Sequence, residues 1–234
     1  MNILTENLKK IGINITEHEL FQFDTYMEYL LEYNKHTNLT AITQPEQVLI
    51  KHFFDSVLIT KFFKIKPEDK IIDVGTGAGF PGVPIKIIYK DISLTLVDSS
   101  NKKVDFLKKL VDKLNINAEI FHGRAEELSF QKEFREKFDF AVSRAVAPLN
   151  ILAEYCLPYV KLEGFFVALK GPNVQDEILK SENAIEVLGG KLFKTETFEL
   201  PCNYGTRNVI VIQKTKNTPD IYPRTNAKIK SAPL

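Results

Sequence analysis

Three glycines and one carboxylate, in the run Asp73-Val-Gly-Thr-Gly-Ala-Gly-Phe-Pro-Gly82, carry the most specific chemical signal in the sequence. The run follows a short apolar segment, Lys70-Ile-Ile-Asp-Val74, and precedes an apolar helical pattern at residues 83–89. Gly75, Gly77 and Gly79 therefore fall on a tight strand-to-helix turn. Such a turn lets the main chain approach a ligand closely, and the helix start behind it offers unpaired N–H groups. The signal is one for a nucleotide-like ligand.

Two cofactor classes compete for this turn. Gly77-Ala-Gly-Phe-Pro-Gly82 satisfies the dinucleotide pattern G-x-G-x-x-G, a weak match when it stands alone. Asp73 would repel an approaching pyrophosphate, whereas S-adenosylmethionine brings a cationic amino group and a sulfonium. The alternative for Asp73 is structural, ordering the turn through backbone N–H groups. Asp98 ends the next apolar run, Leu94-Thr-Leu-Val97, where a carboxylate accepts two hydrogen bonds from a ribose diol or caps a helix. Gly123-Arg-Ala-Glu-Glu127 follows the third strand-like run, the place of an adenine in such a fold, and reads otherwise as a polar loop.

Ser143-Arg-Ala-Val-Ala147 ends the fourth run, beside where a methyl donor would point in such a fold. This tip has no Asp/Asn-Pro-Pro-Tyr cluster for an exocyclic amine and no Pro-Cys pair for pyrimidine C5. Cys156 falls inside a helical stretch and reads as a core residue. Lys170 supplies one member of the Lys-Asp-Lys-Glu set that a 2′-hydroxyl acceptor wants, but Asp139 stands at the wrong end of its run. Arg144 is the charged group left at this tip, in a salt bridge or against a ligand. A ring-nitrogen lone pair loses no proton on attack, so positioning and electrostatics suffice and no general base is assigned.

The elements that must hold these residues change character along the chain. Residues 1–65 read as helices: Thr16-Glu-His-Glu19 and Thr43-Gln-Pro-Glu46 both match the capping box, with residues 34–40 a polar loop between. From residue 70, strand-like runs at 71–74, 94–97, 118–121, 138–142 and 165–169 alternate with helical stretches at 84–89, 101–114, 130–136, 149–160 and 174–188. This alternation predicts a parallel, doubly wound α/β sheet. Runs at 191–200 and 207–213 are joined by too short a turn for a helix, which makes them antiparallel neighbours. Five parallel strands with a C-terminal antiparallel hairpin is the class I methyltransferase layout. Three parts are expected: a helical extension at 1–65, a methyltransferase domain at 66–214 and a basic tail at 215–234.

Composition adds bounds. With 234 residues, 44% of them apolar, the chain can bury a full core, and a net charge of +1 shows no global nucleic-acid footprint. Cys156 and Cys202 are isolated, which argues against a disulfide scaffold or a metal site. Neither a leader nor a membrane span is read, so a soluble cytoplasmic protein, a monomer with no membrane partner, is expected.

Taken together, Asp73-Val-Gly-Thr-Gly-Ala-Gly-Phe-Pro-Gly82, Leu96-Val-Asp-Ser99, Lys102-Lys103, Gly123-Arg-Ala-Glu126, Ser143-Arg-Ala-Val-Ala147 and Ala168-Leu-Lys-Gly171 resemble the bacterial 16S rRNA guanine-N7 methyltransferases, formerly called glucose-inhibited division protein B. Asn38-Leu-Thr40 and Lys51-His-Phe-Phe-Asp-Ser56 fit the same pattern, and the resemblance spans essentially the whole chain. It implies a Rossmann-like class I S-adenosylmethionine-dependent domain with an N-terminal helical extension, acting on N7 of a guanine in 16S rRNA of the small ribosomal subunit. Carried over, the cofactor contacts are Gly75, Phe80, Asp98, Ala125, Glu126 and Arg144, with Gly77 on the same turn. The family's tail resembles Pro-Arg-Lys-x-Gly-x-Pro, whereas this chain has Pro223-Arg-Thr-Asn-Ala-Lys-Ile-Lys230. Its basic character is kept, and Arg224 and Lys228 are the tail's candidate contacts to rRNA phosphates, beside Lys51, His52 and Lys103. The competing expectations are an NAD-dependent oxidoreductase using the overlapping glycine pattern, and a non-catalytic RNA-binding factor of the same fold.

Overall fold

The computed structural model describes residues 2–144 and 147–234. Ala145 and Val146, the middle of the Ser-Arg-Ala-Val-Ala segment, lie outside the described residues.

Helix α1 (Asn2–Lys10) precedes the long α2 (Glu17–Thr37), which opens with the expected capping box. Thr16 Oγ1 accepts from the Glu19 N–H at 3.3 Å, and Glu19 Oε2 accepts from the Thr16 N–H at 2.7 Å. The helix outlasts its expected end. Residues 34–37, read as loop, are helical, and Asn38 closes the helix in the left-handed conformation at φ 51°. No Gly or Pro interrupts this stretch, so nothing local stops the helix earlier. The second expected box does not form. Pro45 occupies the first turn of α3 (Pro45–Val48), making Gln44 the cap residue, with no side-chain bond. The chain continues into a π-helical turn, Leu49–Phe54, then α4 (Asp55–Leu58) and a 3-10 turn, Ile59–Phe62.

The remainder alternates strand and helix: β1 (Lys70–Val74), α5 (Gly82–Ile88), β2 (Ser93–Asp98), α6 (Asn101–Leu114), β3 (Glu119–His122), α7 (Ala125–Leu128), β4 (Phe138–Arg144), α8 (Leu149–Cys156), β5 (Val160–Lys170), α9 (Gln175–Val187), β6 (Gly190–Glu199), β7 (Thr206–Lys214) and α10 (Asn226–Ser231). The sheet order is β3-β2-β1-β4-β5-β7-β6, with β7 antiparallel to both its neighbours and the other pairs parallel. The expected helix at 130–136 is absent, and those residues form turns that drop Phe134 into the core. The helical turn of this crossover is α7 instead, inside the segment read as a loop.

Alternation across the pleat explains the two cores. Ile71, Leu96 and Val167 face one side with Phe23, Tyr26 and Phe53 of the N-terminal helices. Ile72, Val97 and Ala168 face the other with α8, α9 and Ile229 of α10. Register sets the strand tips level: Val74 pairs with Val97, Asp98 with His122, and Arg144 with Leu169. Ligand sites of open α/β sheets form at this carboxyl edge.

Candidate functional site

The glycine turn is built around Asp73. Its Oδ2 accepts from Thr76 Oγ1 at 2.7 Å and from the Gly82 N–H at 2.8 Å, and the side chain is fully buried. Burial raises its carboxyl to about 7, against those two hydrogen bonds. Asp73 therefore braces the loop, and the structural alternative for this residue is the one observed. A Cβ at Gly82 would meet Asp73 Oδ2 at 2.9 Å, so only glycine lets the helix start close on this carboxylate. At Gly77, φ is +64° and no atom lies within 4 Å of where a Cβ would stand, so the main chain faces open cavity.

That cavity, of about 730 Å³, runs from Gly75, Gly77 and Asp98 to Arg144, Lys170 and Arg207. Asp98 Oδ2 accepts from the Gly77 N–H and its Oδ1 from the Ser100 N–H, both at 2.9 Å. These bonds fix the carboxylate at the β2 tip; Lys103 Nζ also reaches Oδ2 at 3.4 Å, and Oδ1 keeps a second lone pair for a ribose hydroxyl. A smaller adjoining pocket of about 160 Å³ continues past Asp98 to Ala125, Glu126 and Tyr155. Glu126 lines this pocket, and its Oε1 is a buried acceptor with no hydrogen-bond partner. These carboxylate acceptors fit a purine amine and a ribose diol.

The N-terminal helices form the opposite wall. Tyr26 of α2 donates to the Ala78 carbonyl of the glycine turn, and its ring stacks on Phe80 at 5.2 Å. The Asn34 side chain exchanges two 2.9 Å hydrogen bonds with the Thr40 backbone, pinning the loop whose Leu39, Thr40 and Ile42 line the cavity. Sequence reading missed both, because Tyr26 looks like an ordinary helix residue and Asn34 like part of a polar loop.

Arg144 joins the two walls. Its Nη1 donates to the Lys51 carbonyl at 3.1 Å and the His52 carbonyl at 3.4 Å, both in the π turn, and its guanidinium lies 4.8 Å from the Phe80 ring centre. Nη2 donates to His52 Nδ1 at 3.2 Å. Arginine only donates, so Nδ1 must accept and Nε2 carries the proton that reaches Thr40 Oγ1 at 2.9 Å. The tautomer is thereby set. Burial, and then Arg144, pull the His52 ring down to about 3, so it is neutral near pH 7. Asp55 Oδ2 is shared by Arg144 at 3.5 Å and Arg207 at 3.3 Å. Burial raises the Asp55 carboxyl against the pull of those arginines. Lys170 ties the β5 tip to the Ala147 carbonyl at 2.6 Å and to Glu177 of α9.

The cofactor candidates Gly75, Gly77, Phe80, Asp98, Ala125, Glu126 and Arg144 thus line two connected pockets. The two tail candidates separate. Lys228 is exposed on α10, whereas the Arg224 guanidinium is committed to Glu154, with Nη2 at 2.6 Å from Oε2 and Nε at 2.8 Å from Oε1. Glu154 is buried on α8, so this is an anchoring pair, and Arg224 is not presented to phosphates.

The chain matches the family described as "rRNA small subunit methyltransferase G" over residues 19–209. It is 46% identical to the ribosomal RNA small subunit methyltransferase G of Desulforamulus reducens, over 96% of this chain and 95% of that protein. Against its counterpart from Alkaliphilus metalliredigens it is 45% identical over 99% and 98%. Among solved structures, M. jannaschii TYW2 in complex with AdoMet superposes with a TM-score of 0.52 at 14% identity, over 68% of this chain and 74% of that one. The [4+2]-cyclase SpnF superposes with a TM-score of 0.54 at 12% identity, over 68% and 79%. These two likenesses concern the fold alone, which hosts more than one chemistry. Neither the oxidoreductase nor the non-catalytic alternative gains support.

Proposed function

The chain belongs to the rRNA small subunit methyltransferase G family, and from that premise we propose that it transfers a methyl group from S-adenosylmethionine to N7 of a guanine in 16S rRNA. The observation that supports N7 is the state of the proton acceptors lining the larger cavity. Among the described residues these are His52, Asp55 and Asp98. His52 has its accepting nitrogen occupied by Arg144, Asp55 lies between two arginines, and Asp98 is engaged by backbone N–H groups. None is disposed to remove a proton from an amine or hydroxyl. Guanine N7 attacks with a ring lone pair and loses no proton, so such a site is sufficient.

When bound, S-adenosylmethionine supplies an electrophilic methyl group on a sulfonium. Asp98 would accept from the ribose hydroxyls and Glu126 from the adenine amine, with Gly75, Gly77 and Ala125 the close-approaching main chain. Phe80 and Arg144 would flank the methionine part. Lys51, Lys103, Arg144, Lys170 and Arg207 outnumber the carboxylates Asp55 and Asp98 in the cavity lining, which suits a phosphate-rich substrate. The pockets are complete within one chain, which supports a monomer acting on the small subunit or its rRNA. No helix among the described residues is long and apolar enough to cross a membrane. The rRNA substrate supports work in the cytoplasm.

The test is mass analysis of 16S rRNA from a strain lacking the gene, with and without its restoration. A guanine N7 methyl group should vanish and return. Unchanged N7 methylation in the deletion strain would overturn the reading.

A further inference from the structure

The smaller pocket has a wall that the cofactor motifs do not supply. Asn226 and Lys230 line it together with Asp98, Glu126 and Tyr155. They stand four residues apart on α10, hence on one face of that helix. Their placement is fixed by the chain around them. Arg224 grips buried Glu154, its Nη1 donates to the Ala232 carbonyl at 3.0 Å, Ile229 is fully buried, and Tyr155 donates to Asn226 Oδ1 at 2.6 Å. Upstream, Arg135 donates to the Thr218 and Tyr222 carbonyls at 2.9 and 3.1 Å. The basic tail, read as a candidate contact to rRNA, is docked against the nucleoside pocket.

The two walls are chemically opposite. The sheet side offers the carboxylate acceptors Asp98 and Glu126, with Glu126 Oε1 buried and unpartnered. The tail side offers donors: the Asn226 amide has its oxygen occupied by Tyr155, which leaves its N–H₂, and Lys230 carries an ammonium. An adenine edge presents an amine donor beside a ring-nitrogen acceptor, and a ribose presents further acceptors. It needs both walls.

Resting on the cofactor reading above, we propose that α10 is a cofactor-binding element in which Asn226 and Lys230 donate to the adenosine moiety. The tail then serves both ligands: Asn226 and Lys230 face the nucleoside, and exposed Lys228 faces outward.

The test is calorimetric titration of the full chain with S-adenosylhomocysteine and with its inosine analogue, in which the amine becomes a carbonyl and the ring nitrogen becomes a donor. Asn226→Ala and Lys230→Met should each weaken S-adenosylhomocysteine binding by about tenfold, roughly 1.4 kcal/mol. The same variants should discriminate less between the two ligands. Lys230→Arg should restore affinity, and Lys216→Ala, which removes a charge elsewhere in the tail, should leave it unchanged. Thermal melts that match the wild type would show that the fold is retained. Wild-type affinity in both Asn226→Ala and Lys230→Met would overturn the inference. Failure of the wild type itself to bind S-adenosylhomocysteine would instead overturn the cofactor reading.

Discussion

His52 and Asp73 show how buried titratable groups are used without proton transfer. The unfolded chain protonates the imidazole below its ordinary 6.5, and the folded protein does so only near 3. Acid therefore favours unfolding through His52 as pH falls from 6.5 towards 3. Asp73 acts in the opposite sense, because its folded value of about 7 exceeds the ordinary 3.8 and the folded state binds the extra proton between them. Replacing His52 with Gln should thus stabilise the protein against urea, relative to wild type, by about 2 kcal/mol more at about pH 5 than at about pH 7. A parallel pair of pH curves would refute this. At Asp73 the expected order is Asn tolerated and Ala damaging. Asn can offer one oxygen to both Thr76 and Gly82, whereas Ala leaves a buried N–H unpaired at about 1–3 kcal/mol. Denaturant midpoints of the two variants check this order. Asp98 and the glycines were legible because strand-tip position and φ > 0 leave a mark in sequence. The partner of Arg224 was not, since Glu154 looks like any helix carboxylate.

At the scale of elements, the π turn Leu49–Phe54 has no sequence signature, yet it presents the carbonyls that receive Arg144. Deleting one residue within it would restore α-helical register and turn the preceding wall by about 100° relative to the β4 tip. The expected result is loss of S-adenosylhomocysteine binding by calorimetry with helical circular dichroism retained; undiminished affinity would show the turn to be dispensable. One anchor of the tail is a buried carboxylate, Glu154. Arg224→Ala strands Glu154 in the core and should lower stability by about 3–5 kcal/mol, while Arg224→Ala combined with Glu154→Leu should recover most of it. Strand and helix order was readable from period and turn residues. The second capping box failed because Pro45 overrode its register, and the helix at 130–136 failed because tertiary burial of Phe134 outweighed local pattern.

For the molecule as a whole, the expected division at residue 65 marks a change of pattern and not a seam in the core. Phe23, Tyr26 and Phe53 share one buried cluster with Ile71, Leu96 and Val167 of the sheet. A chain beginning at residue 66 should therefore expose that face and be recovered as an aggregated or molten species, seen by dye binding and loss of near-ultraviolet dichroism. A soluble, cooperatively melting fragment would contradict this. That the first five strands run parallel was legible, because crossovers of helix length admit few alternatives.

The last strand to be made, β7, does not lie at the sheet's edge: it pairs on one side with β5 and on the other with β6. On the ribosome, β6 therefore has no place to dock until the following strand has left the exit tunnel. Arg207, which helps to line the cavity, arrives with that strand. A chain interrupted late in translation cannot hold a partial activity. Its sheet lacks the strand that joins β6 to the five parallel strands, and it presents an open edge to the quality-control machinery in place of a site.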